Sequence, residues 1–440
     1  MEGWGRYPRH ESEVLDCWWP EALPSAVSSR AGLIGRGNGR SYGDAAIGEH
    51  STLRCRGLNR LKSFDPVNGL LRVEAGVMLS DILRSFVPRG YFPPVVPGTK
   101  LVTIGGMIAS DVHGKNHHRH GGFGEHVSEL KLVTASGEII TCSRTQNSEL
   151  FSATVGGMGL TGIIAEATFS LRPIGSGWIA QNTIVAKNLG DALQALQQTD
   201  DATYSVAWID CLSRGASLGR SLIFAGEHAT PDQVAQMPKA ALFPPWNAAR
   251  FSLPVDLPSW ALNSASVSAF NELYFRTAGR EAARASLVHW DTYFFPLDGL
   301  LEWNRLYGKR GFLQHQCVVP NENALPVLSS ILDRFALSGK GSFLAVLKKL
   351  RAGAGLLSFP APGYTLALDL PVTQDVFRLL DEIDTLVVEA GGRLYLAKDA
   401  RQSRQTFEAG YPRLEAFKEV RRTTGADRHF NSRLAKRLGI

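Results

Sequence analysis

The sequence predicts an α+β protein with two domains, and three observations support this class. Short apolar segments separated by glycine-rich turns run from Leu33 to about Pro173, which is the pattern of β-strands. Beyond Pro173, strand-like segments alternate with longer amphipathic ones, as in a sheet with helices on one face. The chain has 440 residues, which is more than a single hydrophobic core usually serves.

The first half contains four segments with strand character and one with the spacing of a helix. The helical segment, MLSDILRSFVPRG, carries leucine and isoleucine at helical intervals and ends at Gly90, because glycine commonly terminates helices. The strand segments are LIGRGNG, LLRVEAG, LKLVTASGEII and GIIAEATFSLRP. This half is therefore predicted to be a mixed α+β unit.

The second half repeats the pattern with longer elements. The predicted helices are LGDALQALQQT, ALPVLSSILDRFALSG and VFRLLDEIDTLVVEAGG, which is closed by glycines. The predicted strands are SVAWIDCL, FLQHQCVVP and GYTLALDLPV, and the segment RLYLAKDAR follows the last helix. We therefore expect a second α+β domain with helices on one face of its sheet.

A proline-rich segment, residues 241–263, interrupts this alternation with four prolines and four large aromatic side chains. Long segments without regular structure in compact domains usually serve a function, so a lid or a binding loop is one interpretation. A packed irregular connection is the other. The sequence leaves both open.

The composition is that of an ordinary globular protein, with 44% apolar and 20% charged residues. The net charge is +6, and basic residues dominate only between Lys418 and Arg437. We interpret that stretch as a solvated helix face rather than a surface for an anionic partner. No nucleic-acid partner is expected.

Cysteine usage and hydropathy bear on the compartment. The five cysteines lie far apart and form no C-x-x-C pair, which fits a reducing compartment. The start, MEGWGRYPRHESEV, has no apolar run, so no secretory signal is expected. No window reaches about 18 apolar residues, so no transmembrane helix is expected either. Any membrane contact would be made from one side.

Three glycine-rich segments stand in the first half. They contain Gly35, Gly37, Gly39, Gly43 and Gly48, then Gly98, Gly105, Gly106 and Gly114, then Gly156, Gly157, Gly159 and Gly162. Glycines at this density let backbone N–H groups turn towards an anion. The first segment is not a Rossmann fingerprint, because no clear helix follows its last glycine. Together the three segments suit a long ligand with a pyrophosphate, such as a flavin dinucleotide.

The segments GRGNGRSYGD, PGTKLVTIGGMIASDVHGKNHH and ELFSATVGGMGLTGII, in that order, resemble the flavin domain of the vanillyl-alcohol-oxidase superfamily, which has the PCMH-type FAD-binding fold. Within it, the sequence resembles the decaprenylphosphoryl-β-D-ribose 2′-oxidase family. Segments outside the flavin domain carry this likeness further: VAWID, PLDGLLEWNRLYG, GFLQHQCVVP, SFLAVLKK, LSFPAPGY, GGRLYLAKDAR and FNSRLAKRLGI.

The resemblance implies a two-domain PCMH-type fold. An FAD-binding domain would span residues 1–175, and the C-terminal segment 400–440 would return to it. A substrate-binding domain with an antiparallel sheet covered by helices would span 176–399. It would carry a proline-rich mobile loop near 231–262, where the likeness to the family is weakest.

The resemblance also implies FAD as the cofactor. Many superfamily members attach the flavin through a histidine in the first glycine loop, where this chain has Asn38, so a noncovalent flavin is expected. The FAD-binding positions implied are Gly35, Arg36, Gly37, Asn38, Gly39, Arg40, Ser41, Tyr42, Gly98, Thr99, Thr103, Gly105, Gly106, Ala109, Ser110, His113, Gly114, Lys115, Asn116, Gly159, Gly162, Ile163, Tyr395 and Lys398.

Three positions are implied to be catalytic: Lys398, His113 and Tyr42. A buried ammonium at Lys398 can stabilise the negative charge that a flavin acquires with a hydride, and it can hydrogen-bond the reacting hydroxyl. The other reading of Lys398 is a surface lysine paired with Asp399. The substrate-binding positions implied are Trp208, Gln314, Gln316, Lys348, Ala367 and Tyr395.

Ala367 departs from the family pattern. Mycobacterial members have a cysteine at this point of the strand after the F-P-x-P-G turn, facing the flavin. Such a cysteine cannot be essential for hydride transfer if the rest of the site is intact. The change alters the pocket wall and leaves the exact substrate open.

The reaction implied is oxidation of the 2′-hydroxyl of a polyprenylphosphoryl pentose to a 2′-keto sugar. A short-chain dehydrogenase partner would complete an epimerisation to the arabinose donor. The lipid substrate implies peripheral membrane contact, for which Trp246, Arg250, Phe251 and Trp260 are suited. The expected location is the cytoplasm or the inner face of the cell membrane, with the periplasmic face left open. The electron acceptor is not assigned.

Three alternatives compete with this hypothesis. An oxidase of a soluble alditol or aldonolactone would use the same fold. A metal site could draw on the five histidines between His113 and His126, but that segment is broken by glycines and lacks the helix of an H-E-x-x-H motif. A flavin-free binding protein is disfavoured by the polar and charged residues at the substrate positions. No metal is expected, and the histidines after His113 are expected to be bystanders.

Overall fold

The computed structural model describes residues 1–247, 251–258, 263–282 and 285–440. The strands of the first half are β1 (Glu13–Asp16), β2 (Leu33–Arg36), β3 (Ser51–Arg54), β4 (Leu61–Asp65), β5 (Leu70–Glu74), β6 (Tyr91–Phe92), β7 (Val127–Val133), β8 (Ile139–Ser143), β9 (Ile163–Ser170) and β10 (Arg172–Pro173). The helices there are α1 (Leu23–Ser28), α2 (Leu79–Phe86), α3 (Ile104–Ala109), α4 (His117–His120) and α5 (Ser148–Thr154).

The second half continues the numbering. Its strands are β11 (Trp178–Ala186), β12 (Tyr204–Ile209), β13 (Ser221–His228), β14 (Phe251–Ser252), β15 (Ser286–His289), β16 (Leu300–Leu301), β17 (Phe312–Pro320), β18 (Ala345–Leu350), β19 (Gly363–Pro371) and β20 (Arg393–Leu394). Its helices are α6 (Leu189–Gln198), α7 (Pro231–Ala235), α8 (Ser264–Glu281), α9 (Trp290–Phe294), α10 (Ala324–Ser338), α11 (Gln374–Glu389), α12 (Arg404–Gly410), α13 (Leu414–Thr423), α14 (Ala426–His429) and α15 (Arg433–Leu438).

Two sheets organise the first half. Strands β1, β3 and β2 form a parallel sheet, and β4, β5, β9, β7 and β8 form an antiparallel one in that order. The central strand β9 is buried on both faces along most of its length. Helices α2 and α3 pack into the same core, with residues such as Ile82 and Ile108 fully buried. The glycine-rich turns leave this core at one edge.

The second half is built on one antiparallel sheet, with strand order β15, β11, β13, β12, β18, β19, β17, β20. Helices α6, α10 and α11 cover one face, where Leu193, Ile331 and Leu380 share a core with Leu366. Because side chains alternate along a strand, the residues next to the buried leucines of β17, β18 and β19 point to the other face. That face is turned towards the first half of the chain: Gln316 on β17 contacts His113.

The end of the chain packs on the first half. Arg421 in α13 is 1% exposed, and its guanidinium donates to the carbonyls of Leu160, at 3.1 Å, and Phe430, at 2.8 Å. Phe430 also forms a bridge to Leu33 of β2. Burial lowers the pKa of Arg421 to about 10. The buried cation therefore joins the third glycine-rich segment to the C-terminal helices.

The α+β class expected from the sequence is confirmed. The long helix α8 was not predicted. Its apolar residues are not gathered on one buried face, since Val267 is buried but Phe270 and Leu273 are exposed, so its pattern lacks a broad apolar stripe. It begins with a capping box at Asn263 and Ser266.

Part of the region near 231–262, which was expected to be a proline-rich loop, has regular secondary structure. Pro231 occupies the first turn of α7, where a missing N–H costs nothing, and β14 pairs in parallel with β16. Arg250 and Trp260, which were assigned to membrane contact, lie outside the described residues. Within the described residues, no helix has the length and apolarity needed to cross a membrane.

Replacing Arg421 tests its role in stability. Arg421→Ala should lower the free energy of unfolding by about 3 kcal/mol, because it leaves two buried carbonyls without a donor. Arg422→Ala is the matched control, since that side chain is 63% exposed and pairs with Glu419; its effect should stay within about 0.5 kcal/mol. Denaturant titration followed by tryptophan fluorescence measures both. Equal midpoints for the two variants would contradict the assignment.

Candidate active site

A cavity of about 450 Å³ lies between the two halves of the chain, a size typical of ligand sites. The glycine-rich turns line one end, and strands β12, β17, β18 and β19 line the other. Every residue predicted for the cofactor, the substrate or catalysis borders this cavity, except Asn116. The fold therefore brings together positions that lie in separate motifs of the sequence.

Asn116 lies behind the wall of the cavity. Its side chain is buried, and its amide donates to the Pro94 carbonyl at 2.7 Å. A Cβ at Gly114 would stand 2.8 Å from the Asn116 amide oxygen, so glycine is required there. Asn116 therefore supports the turn that carries His113 and Lys115 rather than bordering the cavity itself.

The first glycine-rich turn follows β2 and has the character of an anion cradle. The backbone N–H groups of residues 38–41 donate to no protein acceptor within the described part of the chain, although these residues line the cavity. A Cβ at Gly37 would stand 2.1 Å from Oγ1 of Thr103, so a side chain there is excluded. Successive free N–H groups facing a cavity fit a pyrophosphate. The residues present therefore fit a dinucleotide cofactor.

The two arginines of this turn have protein partners. Arg36 donates to the carbonyls of Glu2, at 2.8 Å, and Ala46, at 3.2 Å. Arg40 lies over the ring of Trp4, 3.9 Å from its centroid. Both guanidinium groups therefore stabilise the turn, while its backbone N–H groups remain available.

The sheet forms the floor of the other end. Gln314 and Gln316 of β17 lie opposite Asp369 and Ala367 of β19, and Lys348 lies on the adjacent β18. Gln316 also contacts Nε2 of His113 at 2.9 Å. The alternation of these strands therefore places polar side chains on the cavity face and leucines on the helix-covered face.

Lys398 lies in a tight turn after β20. Its N–H and that of Asp399 both donate to the Tyr395 carbonyl, at 2.9 Å and 3.0 Å. The Lys398 ammonium lies over the Tyr42 ring, 3.8 Å from its centroid. The reading of Lys398 as a surface lysine paired with Asp399 is wrong, because Lys398 borders the cavity while Asp399 pairs with Arg437 at 2.9 Å.

Tyr395, Trp208 and His113 form the walls beside these residues. The Tyr395 hydroxyl donates to the Ser110 carbonyl at 2.8 Å, and the Trp208 indole donates to the Phe343 carbonyl at 3.1 Å. His113 stands with Nδ1 3.3 Å from the Lys348 amine, and burial lowers its pKa well below the usual range. The imidazole is therefore neutral.

Three lysines give the cavity its electrostatic character. Burial lowers the pKa of Lys115 to about 7 and that of Lys348 to about 8. It also lowers the pKa of Lys398. Lys115 donates to the Tyr293 carbonyl, and none of the three forms an ion pair with a carboxylate of the described chain. An anionic ligand would restore their charge, so the cavity favours one.

Several residues that line the cavity or lie directly behind its wall were missed by the sequence analysis. Asp298 accepts hydrogen bonds from the Thr99 hydroxyl and the Lys100 N–H, both at 2.7 Å, and Asp369 accepts one from Gln314 at 2.6 Å. Trp4 and Trp303 line the wall. The alternation of GYTLALDLPV could have indicated Asp369, which follows Ala367 by two residues and so shares its face.

The histidines after His113 have structural contacts. His117 is fully buried, and its Nδ1 accepts the N–H of Arg351 at 3.1 Å. His118 bonds the Ala202 carbonyl at 2.9 Å, and His126 bonds the His120 carbonyl at 2.9 Å. These side chains tie the segment to its surroundings, and they form no cluster of metal-ligating groups among the described residues.

Comparisons with known proteins agree with the geometry. Residues 7–143 match a family model described as an FAD binding domain. Decaprenylphosphoryl-beta-D-ribose oxidase of Mycolicibacterium smegmatis is 39% identical, covering 100% of this chain and 97% of its own length. An uncharacterised protein of Streptomyces coelicolor is 34% identical over 83% of this chain. A putative D-arabinono-1,4-lactone oxidase of Neurospora crassa is 32% identical, but only over 34% of this chain.

The full-length similarity covers both the glycine-rich end and the substrate-facing sheet of the cavity. FAD is therefore the cofactor, and the reaction is an oxidation at a CH–OH group. The chain belongs to the decaprenylphosphoryl-β-D-ribose oxidase family of FAD-dependent oxidoreductases, within the vanillyl-alcohol-oxidase superfamily.

Proposed function

We propose that the enzyme oxidises the 2′-hydroxyl of a polyprenylphosphoryl pentose to the 2′-keto sugar, the first half of an epimerisation to the arabinose donor. One observation carries this proposal: a single cavity joins a glycine-rich cradle to a polar floor with three partly buried lysines and to an exposed apolar rim. A ligand that is anionic, hydroxylated and lipid-linked matches these three regions in turn. The named relative of full length acts, by its name, on decaprenylphosphoryl-β-D-ribose.

The residues of the floor would hold and polarise the sugar. When bound, FAD supplies the acceptor for the hydride that leaves the carbinol carbon. The amides of Gln314 and Gln316 are suited to orient hydroxyl groups over the floor, and orientation supplies much of the rate enhancement. Lys398 would hydrogen-bond the reacting oxygen and stabilise the negative charge that develops next to it.

The phosphate of the substrate accounts for the other two lysines. Lys115 and Lys348 are buried beside the cavity without a carboxylate partner in the described chain. A phosphate within reach of both would raise their pKa values and offset the cost of burying their charge. A neutral alditol would not do this, which favours the phosphorylated substrate over the soluble one.

The rim of the cavity supports a lipid-linked substrate. Leu300 and Leu301 border the cavity, and β16 pairs with β14, where Phe251 is 72% exposed. On the opposite side Tyr274 borders the cavity, and Phe270 of the same helix stacks on it with a centroid distance of 5.9 Å. Exposed apolar side chains around a cavity mouth suit contact with a membrane surface.

Trp246 was expected to contact the membrane, but the structure places its side chain against the protein core. It packs against the core of the first half, with the Arg84 guanidinium 4.5 Å and the Lys100 ammonium 4.9 Å from its ring centroid. The membrane contact we propose therefore rests on Phe251 and the cavity rim. The location that follows is the membrane surface, and a short-chain dehydrogenase is the partner that would reduce the ketone.

Single-turnover reduction of the bound FAD tests the function without knowledge of the electron acceptor. Anaerobic enzyme mixed with a short-chain prenylphosphoryl-β-D-ribose should lose its flavin absorbance. Free ribose, an alditol and an aldonolactone at the same concentration should reduce it far more slowly. Reduction only by the soluble sugars would overturn the proposal and establish the alternative oxidase.

Lys398→Ala tests the electrostatic role of that lysine. The variant should keep its yellow FAD and lose turnover on the order of 2 to 4 kcal/mol in activation free energy, as when one oxyanion donor is removed. Lys436→Ala is the control, because that lysine is 61% exposed and pairs with Glu49. FAD content from absorbance and the rate of flavin reduction are both measured. Near-normal reduction in the Lys398 variant would remove the residue from the mechanism.

Ala367→Cys tests whether position 367 faces the reacting flavin. The new thiol should react with a thiol-directed reagent and block the cavity, while the untreated variant still oxidises substrate. The wild-type protein is the control, since its five cysteines are buried and burial raises the pKa of Cys55, which borders the cavity, to about 12. An unreactive thiol at 367, detected by mass spectrometry, would mean that the position does not face the cavity.

A further inference from the structure

Asp369 lies directly beneath the cavity floor. Its side chain on β19 is fully buried, and it stands opposite Gln314 in the register of β17 and β19. Oδ1 accepts a hydrogen bond from Nε2 of Gln314 at 2.6 Å, whereas Oδ2 has no hydrogen-bond partner among the described residues. The carboxyl group does not border the cavity, so it acts on a ligand only through the residues above it.

The Gln314 amide is held in one of its two possible orientations. Its Nε2 also donates to the Tyr42 hydroxyl at 3.2 Å, so both amide hydrogens point to protein acceptors. An ionised carboxylate can only accept, which excludes the reversed orientation with the amide oxygen against Asp369. Oε1 is then the atom left for the cavity that Gln314 borders, and it has no donor in the described part of the chain.

We propose that Asp369 is a positioning residue that orients the Gln314 amide, so that the cavity offers a hydrogen-bond acceptor to one hydroxyl of the bound sugar. This rests on the proposed function, since it assumes a hydroxylated pentose as the ligand. A substrate hydroxyl satisfies the acceptor by donating its hydrogen. A group that cannot donate, such as fluorine or a carbonyl, leaves the acceptor without a partner and is disfavoured.

Gln316 is constrained in a different way. Its amide lies 2.9 Å from Nε2 of His113 and 3.1 Å from the Thr365 hydroxyl. The Lys348 ammonium, which can only donate, lies 3.3 Å from Nδ1 of His113, so Nε2 carries the imidazole hydrogen and takes the Gln316 amide oxygen as its acceptor. Of the two glutamines, Gln314 is therefore the one whose amide oxygen is left for the cavity.

The charge of Asp369 depends on its surroundings. Burial raises the pKa of Asp369 to about 7, and Gln314 and Lys398 act in the opposite direction. The other titratable groups facing it are the hydroxyls of Tyr42 and Tyr307, whose pKa values burial raises well above the usual range. At a pH above this raised pKa of Asp369, the carboxylate is ionised and fixes the amide. Below it, the protonated carboxyl can donate to Oε1, and the amide is free to turn.

The relative affinity for fluorinated analogues tests whether Gln314 offers a hydrogen-bond acceptor to the sugar. The ligands are a short-chain prenylphosphoryl-β-D-ribose and its 2-deoxy-2-fluoro and 3-deoxy-3-fluoro forms. Calorimetry on dithionite-reduced enzyme excludes turnover during the titration. At pH 8, the wild-type enzyme should bind the parent roughly three- to tenfold more tightly than one of the fluorinated forms. In Asp369→Asn this ratio should fall to within about twofold, because an amide at 369 can donate or accept.

Two controls separate the positioning role from a structural one. Thr365→Val changes a buried neighbour of Gln316 and should leave the ratio unchanged. In the wild-type enzyme, lowering the pH from 8 to 6 should reduce the ratio, which provides a test if Asp369→Asn fails to fold or to retain FAD. An unchanged ratio at pH 6, or in a folded Asp369→Asn enzyme, would overturn the inference. Failure of the parent compound to bind the wild-type enzyme would instead overturn the proposed function.

Discussion

The cavity depends on one buried ion-pair arrangement at Arg437. Its guanidinium donates to Asp44 at 2.8 Å and lies 2.9 Å from Asp399. Asp44 ends the first glycine-rich turn, and Asp399 follows Lys398, so the C-terminal helix α15 holds the FAD-binding end and the turn that carries Lys398 together. The N–H of Tyr42 adds a direct bond to the Ala397 carbonyl at 3.0 Å. Removing one partner of such a group leaves an uncompensated buried charge, so this contact fixes the separation between Tyr42 and Lys398.

A second consequence of this geometry is that the protein itself does not balance the positive charge of the cavity lysines. Three lysines border the cavity, and beneath the floor Asp369 raises the pKa of one of them, Lys398. Burying unpaired ammonium groups costs stability, and the pKa values of Lys115 and Lys348 are lowered as a result. Ligands that carry phosphate recover this free energy on binding. The enzyme should therefore gain stability from its anionic ligands, by an amount that rises with the logarithm of the ligand concentration relative to its Kd.

The sequence predicted the parts of the site that have local signatures. Glycine density indicated the first glycine-rich cradle, whereas Gln314 and Gln316, which lie on one face of β17, were implied by the family resemblance. It could not predict what these residues meet, because the contacts of Arg437 and Asp369 join segments far apart in the chain. Helix α8 was missed for a related reason: its weakly apolar face is stabilised by burial of Asn271 against Asp210 at 2.8 Å, a polar contact without a periodic signal.

The floor built by this alternation contains two kinds of residue, those that border the cavity and those that lie beneath it. Residues of β17, β18 and β19 that border the cavity can contact the ligand. Asp369 is on the same face but lies beneath Tyr42 and Gln314, so it acts on a ligand only through these two side chains. A substitution at 367 changes the shape of the wall, whereas the hydrogen-bond polarity of the floor is fixed one layer below. A side chain of another size at position 367 can therefore alter which ligands fit without changing the orientation that we propose for the Gln314 amide.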